Sequence, residues 1–239
     1  MATYILVHGA WHGGWCWHRI VTRLERAGHR VLAPDLLSLG RDRTPLGSVT
    51  LADWTQQVAA IIDAQPEPVV LVGHSRGGIV LSEAAEQRPG RIRTLVYVTA
   101  FLLEDGRSLQ MAASTDTESL VGPSLVVADD QRSVTIRNDA VAETFYGECT
   151  ADDVALARAL LTAEPLAPLA TAVRITAGRF GAVPRLYVEC TRDRAITLAG
   201  QRQMQAALPC REAITLDTDH SPFLSRPDEL TAALLRAAV

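Results

Sequence analysis

Thr3-Tyr4-Ile5-Leu6-Val7 and Val69-Val70-Leu71-Val72 are unbroken apolar, β-branched runs, and they constrain the fold more than any other feature. A strand with one wet face alternates apolar with polar residues, so a continuous run points to a strand covered on both faces. Arg30 to Ala33, Ile92 to Val98, Pro184 to Cys190 and Glu212 to Leu216 read as further strands. Helical spacing fills the gaps between them. Trp17, Ile20, Val21 and Leu24 form one stripe that ends at Gly28, and Leu51, Trp54, Val58, Ile61 and Ile62 form another, opened by Thr50-x-x-Asp53 in capping-box spacing. Further helices are expected after Gly78 closing at Pro89-Gly90, near Thr197 to Leu208, and from Pro227 onward with Leu230, Leu234 and Ala237 on one face. The pattern specifies an α/β protein with a doubly wound, mostly parallel sheet.

The rhythm breaks from Phe101 to Arg179, where only a β-like stretch near Ser133 to Ile136 and a helix from Thr150-x-x-Asp153 to a stop at Pro165 stand out. We therefore expect a core of residues 1–100 and 180–239 with a cap inserted at residues 101–179.

Composition removes several function classes. The net charge is −4, which announces neither a nucleic-acid partner nor a membrane surface. All 23 basic side chains are Arg, so Schiff-base and P-loop chemistry, which need an ε-amine, are absent. No run of about 18 apolar residues could span a bilayer, and the opening residues read as a strand rather than a signal peptide. Cys16, Cys149, Cys190 and Cys210 form no C-x-x-C pair; reduced thiols and a cytoplasmic setting are expected. Gly9, Gly13 and Gly14 do not fit the dinucleotide fingerprint despite Asp35 downstream, and His8 and His12 lack a carboxylate partner, so neither cofactor nor metal is expected.

The chemistry centres on Gly73-His74-Ser75-Arg76-Gly77, a G-x-S-x-G motif between a buried strand and a helix. A nucleophile on so sharp a turn needs glycine two residues either side, where a Cβ would strike the adjoining strand or helix. A serine hydroxyl also needs a base and an acid that orients the base. Among six histidines, His220 in Asp219-His220-Ser221-Pro222-Phe223 follows the last strand and opens on the same sheet edge. His74 is expected to turn its ring away, and His12 and His18 to belong to the first loop and helix. Asp193 follows the strand ending at Cys190 and is the expected acid; Asp105, Asp217 and Asp219 are its rivals. Two N–H donors for an oxyanion are expected from Ala10 and Arg76. Trp11, Phe101, Phe145, Tyr146 and Phe223 are candidates for the substrate pocket or for plain core.

With these residues in place, the chain resembles the α/β-hydrolases, in the branch of plant methyl esterases, hydroxynitrile lyases and small bacterial carboxylesterases. The resemblance is carried by His8-Gly9-Ala10-Trp11-His12-Gly13-Gly14-Trp15-Cys16-Trp17, Gly73 to Gly78, Asp193 and Asp219 to Phe223. It implies a catalytic triad of Ser75, Asp193 and His220, an oxyanion hole at Ala10 and Arg76, and hydrolysis of small to medium esters through an acyl-enzyme. The branch's lyases carry Thr and Lys where this chain has Gly9 and Ser221, which removes the charge that would hold departing cyanide. A lyase, or a ligand-binding protein with little turnover, remains the alternative function. The partner is a small-molecule ester, and a homodimer is left open. Arg76 departs from the Leu, Met or Cys common in relatives; its side chain is expected behind the turn rather than on substrate.

Overall fold

The computed structural model describes residues 1–238. Six strands form one sheet: β1 (Thr3–Val7), β2 (Arg30–Leu32), β3 (Val69–His74), β4 (Ile92–Val98), β8 (Arg185–Cys190) and β9 (Glu212–Leu216), in the order β2-β1-β3-β4-β8-β9. Every pair is parallel. Parallel neighbours need crossovers, and helices α1 (His18–Arg26), α2 (Leu51–Asp63), α3 (Gly77–Gln87) and α8 (Leu198–Ala207) supply them, while α10 (Pro227–Arg236) follows the last strand. The unbroken runs of β1 from Tyr4 to Val7 and of β3, and β4 from Thr94 to Val98, are buried between these layers, together with Trp17 and Trp54. β2 and β3 leave β1 in opposite directions, so the winding reverses between β1 and β3. Open α/β sheets bind ligands at such a point, outside the carboxyl ends of the strands.

Between β4 and β8 the chain leaves this sheet. It forms α4 (Leu109–Ala113), α5 (Val141–Phe145), α6 (Ala151–Leu160) and α7 (Leu166–Ala170) around a small antiparallel sheet of β5 (Leu125–Val127), β6 (Ser133–Ile136) and β7 (Glu164–Pro165). Both expected capping boxes form, at Thr50 with Asp53 and at Thr150 with Asp153. Helix α6 ends at Leu160, short of the expected stop at Pro165. The residues after it have other partners: Thr162 N–H donates to the Trp11 carbonyl, and Glu164 and Pro165 pair with β6. A four-residue helix, α9 (Pro222–Ser225), precedes α10. No helix among the described residues is long and apolar enough to cross a membrane.

Candidate active site

Ser75 stands immediately after β3 with φ of 53°, a left-handed conformation that a side chain adopts only when its surroundings enforce it. The enforcement is visible on both sides. A Cβ on Gly73 would lie 2.5 Å from Leu81 of α3, and one on Gly77 would lie 2.9 Å from the Val7 carbonyl of β1. The Ser75 carbonyl accepts from Phe101 N–H at 3.0 Å and from Gly78 N–H at 3.1 Å, which closes the turn.

His220 follows β9 and is buried, against the surface-loop alternative. Its Nδ1 lies 2.7 Å from Asp193 Oδ2. Because the carboxylate can only accept, Nδ1–H donates and the Nε2 lone pair is left open. Asp193 is held from three further directions: Ala195 and Ile196 N–H donate to Oδ1 at 2.6 and 2.9 Å, and Thr99 Oγ1 donates to Oδ2. The rival acids are engaged elsewhere. Asp105 accepts from Ile175 N–H, Asp217 pairs with Arg192 on the surface, and Asp219 accepts from Glu148 and Ser221 N–H. Ser75 Oγ has no hydrogen-bond partner among the described residues, and hydrogen bonds at reacting centres commonly tighten only around substrate.

The loop after β1 is held at its carbonyls and at Trp11 N–H. The Gly9 carbonyl accepts from Arg76 Nη2 at 2.9 Å and from His8 Nδ1 at 2.9 Å; Leu36 N–H, donating to His8 Nε2, fixes that tautomer. The Ala10 carbonyl accepts from His12 Nδ1 at 2.6 Å, and Tyr146 O–H donates to His12 Nε2 at 2.5 Å. Trp11 N–H donates to Glu164 Oε2 at 2.8 Å. The backbone N–H groups of Ala10 and Arg76 have no partner among the described residues.

Arg76 runs behind the turn, as expected. Its Nε donates to Glu164 Oε1 at 2.9 Å, its guanidinium lies 4.2 Å from the centroid of the Trp54 ring, and both members of the ion pair are fully buried. Burial pulls the Arg76 pKa down and pushes that of Glu164 up, while each partner's charge opposes the shift.

His74 corrects the sequence expectation. Its ring does not turn away from the site: Nε2–H donates to the His220 carbonyl at 2.7 Å, and the two ring centroids are 4.5 Å apart. It therefore braces the loop that carries His220. His12 lies in the first loop, as expected, and is buried there. Burial lowers the pKa of His12 to about 4 and of His8 to about 3, and that of His74 falls well below the usual value for the same reason. These three rings are neutral at pH 7.

The aromatic candidates separate by position. Phe145 lies 5.6 Å from both His220 and Trp11 by ring centroids. Trp11 Nε1 donates to the Val134 carbonyl, and Tyr146 is committed to His12. Phe223 packs on Trp17 and His74, within the core. Phe101 contributes its backbone to the turn. Two residues escaped the sequence reading. Thr99 was readable in principle, as the residue directly after a strand on the site's edge. Glu164 was not, because its partner lies 88 residues away.

The chain belongs to the alpha/beta hydrolase family, which it matches over residues 4–234. It is 33% identical over 250 residues to salicylic acid-binding protein 2 of Nicotiana tabacum, covering 98% of this chain and 96% of that protein. Methylesterase 7 of Arabidopsis thaliana is 31% identical over 248 residues, with 98% and 95% covered. Among solved structures, polyneuridine aldehyde esterase superposes with a TM-score of 0.90 at 26% identity, over the full length of both chains.

Proposed function

We propose that the protein is a serine esterase acting on small to medium carboxylic esters. Ser75 attacks the ester carbonyl as His220 Nε2 takes its proton. Ala10 and Arg76 N–H hold the oxyanion, and His220 returns the proton to the departing alcohol. Water then enters by the same route and releases the acid from the acyl-enzyme. Asp193 keeps Nδ1 protonated and steadies the imidazolium formed on the way. The observation that carries this reading is the buried His220–Asp193 bond of 2.7 Å on the sheet edge where Ser75 is held at positive φ.

The relatives' names, methylesterase and esterase, support esters of small alcohols as first substrates. The four unpaired cysteines support a reducing, cytoplasmic setting. Gly9 and Ser221, together with the absence of Lys, favour hydrolysis over cyanohydrin cleavage.

The test is turnover of p-nitrophenyl and methyl esters graded by acyl length, in the wild-type chain and in Ser75→Ala. Loss of several orders of magnitude in the folded variant is expected. A near-wild-type rate in Ser75→Ala would overturn the mechanism, and Ser75-dependent cyanide release from mandelonitrile would overturn the ester assignment.

A further inference from the structure

The Arg76–Glu164 pair lies beneath the loop that carries the first oxyanion donor. A fully buried ion pair is no more stabilising than apolar side chains of the same volume, because desolvation offsets the attraction between the charges. What it adds is direction. The bonds that reach the Gly9–Trp11 loop show what is being directed.

The Gly9 carbonyl and the Ala10 N–H belong to one peptide group. That group is trans, so the two bonds point in opposite directions. Arg76 Nη2 and His8 Nδ1 occupy both acceptor positions of the carbonyl. Holding the oxygen therefore fixes the opposite bearing for the N–H. The next peptide group is held at both ends too, with the Ala10 carbonyl on His12 and Trp11 N–H on Glu164. Of the two N–H groups in these two peptides, Ala10 N–H is the one without a partner among the described residues. Gly9 is packed against Ser75 so closely that a Cβ on it would lie 3.0 Å from the Ser75 Cβ.

We propose that Arg76 and Glu164 are positioning residues for the oxyanion site: the guanidinium grips the Gly9 carbonyl, the carboxylate grips Trp11 N–H and holds the guanidinium, and together they aim Ala10 N–H at the carbonyl attacked by Ser75. Residue 76 thus serves both donors, one through its own backbone N–H and the other through its side chain. The cation on the Gly9 oxygen also polarises the peptide and strengthens its N–H as a donor. Glu164 lies in β7, so the geometry of the first loop depends on the segment inserted between β4 and β8.

This inference rests on the ester-hydrolysis reading, and its test separates the two. In the double variant Arg76→Met/Glu164→Gln both charges leave together, and no ion remains buried alone. A mis-aimed donor is worth less than the 10²- to 10³-fold of a deleted one. We therefore expect kcat for p-nitrophenyl acetate to fall about 10- to 100-fold with KM within about threefold. An aryl boronic acid, which forms a tetrahedral anion on the serine, should lose affinity in parallel. Arg76→Lys keeps the charge but cannot reach Glu164 and the Gly9 oxygen together, so it should show an intermediate kcat. It also carries the test alone if the double variant does not fold. Wild-type kcat and boronate affinity in a folded variant would overturn the positioning role. An inactive wild-type chain would instead refute ester hydrolysis, and boronate affinity would then decide the positioning role.

Discussion

The six-stranded sheet and the segment inserted between β4 and β8 share one apolar core but differ in how much apolar surface each leaves exposed. In the sheet, Ile5, Leu71, Val96 and Val188 are fully buried, and β1, β3 and β4 from Thr94 to Val98 contribute almost nothing to the surface. In the inserted segment Met111, Leu125, Val126, Val127, Leu156 and Leu160 are exposed. Its attachment combines buried Leu102, Val134, Phe145 and Val173, which join the same core as the sheet, with separate polar contacts: Arg19 with Asp153 at 2.6 Å, Asp219 with Glu148 N–H at 2.8 Å, Trp11 Nε1 with the Val134 carbonyl, and Glu164 with Arg76. Apolar burial is nondirectional and scales with area, so it builds the platform; hydrogen bonds have one geometry and fix where the insert meets the loops. The loop that carries His220 lies between the sheet and the insert, with Asp193 on its sheet side and Asp219 on its insert side.

The largest expected effect breaks that symmetry between the two acids. Asp193→Asn should lower kcat roughly 10⁴-fold, since an amide can stabilise the wrong imidazole tautomer. Asp219→Asn should cost far less, because Asp219 holds Glu148 and Ser221 backbone groups. Steady-state kinetics on one ester checks both, and collapse in Asp219→Asn with Asp193→Asn nearly normal would exchange their roles.

Next in size is a cavity in the sheet. Leu71→Ala, in the middle of β3, should destabilise by about 2–5 kcal/mol in urea unfolding. A loss under about 1 kcal/mol would mean that the sheet does not carry the stability assigned to it.

The third effect concerns the seam, where His8, His12 and His74 are buried neutral. Their folded pKa values lie below the usual 6.5, at about 3 for His8 and about 4 for His12. Below pH 6.5 the unfolded chain therefore binds protons that the folded chain refuses. Their contribution is complete above that pH and is lost progressively as pH falls below it. Urea midpoints should drop from pH 7 to pH 5, and a flat profile would show the rings accept protons without unfolding. Smallest is Val126→Thr on the exposed strand β5, expected within about 0.5 kcal/mol of wild type. A larger loss would reveal burial of that strand by something outside the chain.

Legibility in the sequence followed the same divide. β1, β3 and β4 were readable because burial on both faces writes itself as a local run, and Ser75 because the turn demands Gly73 and Gly77 nearby. Asp193 and His220 followed from strand ends, which share one edge of a parallel sheet. The insert was not readable to this degree. β5 is a three-residue Leu-Val-Val edge and β7 only Glu164–Pro165, too short to show a period. Glu164 and Asp219 act through partners 88 and 71 residues away, which no local pattern encodes. His74 was misread because a position beside the nucleophile does not reveal that the His220 carbonyl lies within reach.

The order in which the sheet is assembled bears on how the chain emerges from a ribosome. β4 can pair with β3 as soon as both are made, but its other neighbour, β8, is about ninety residues further on, since Leu95 pairs with Arg185. At about 5–20 residues per second that edge stays open for roughly 5–20 s, an unpaired apolar strand in a nascent polypeptide. Ser75, Ala10 and Arg76 all lie ahead of this pause, and Asp193 and His220 lie after it. A half-translated chain therefore carries Ser75 without Asp193 and His220, and the proposed triad cannot assemble until the last strand is laid down. The interval before β8 arrives is when a chaperone would matter most.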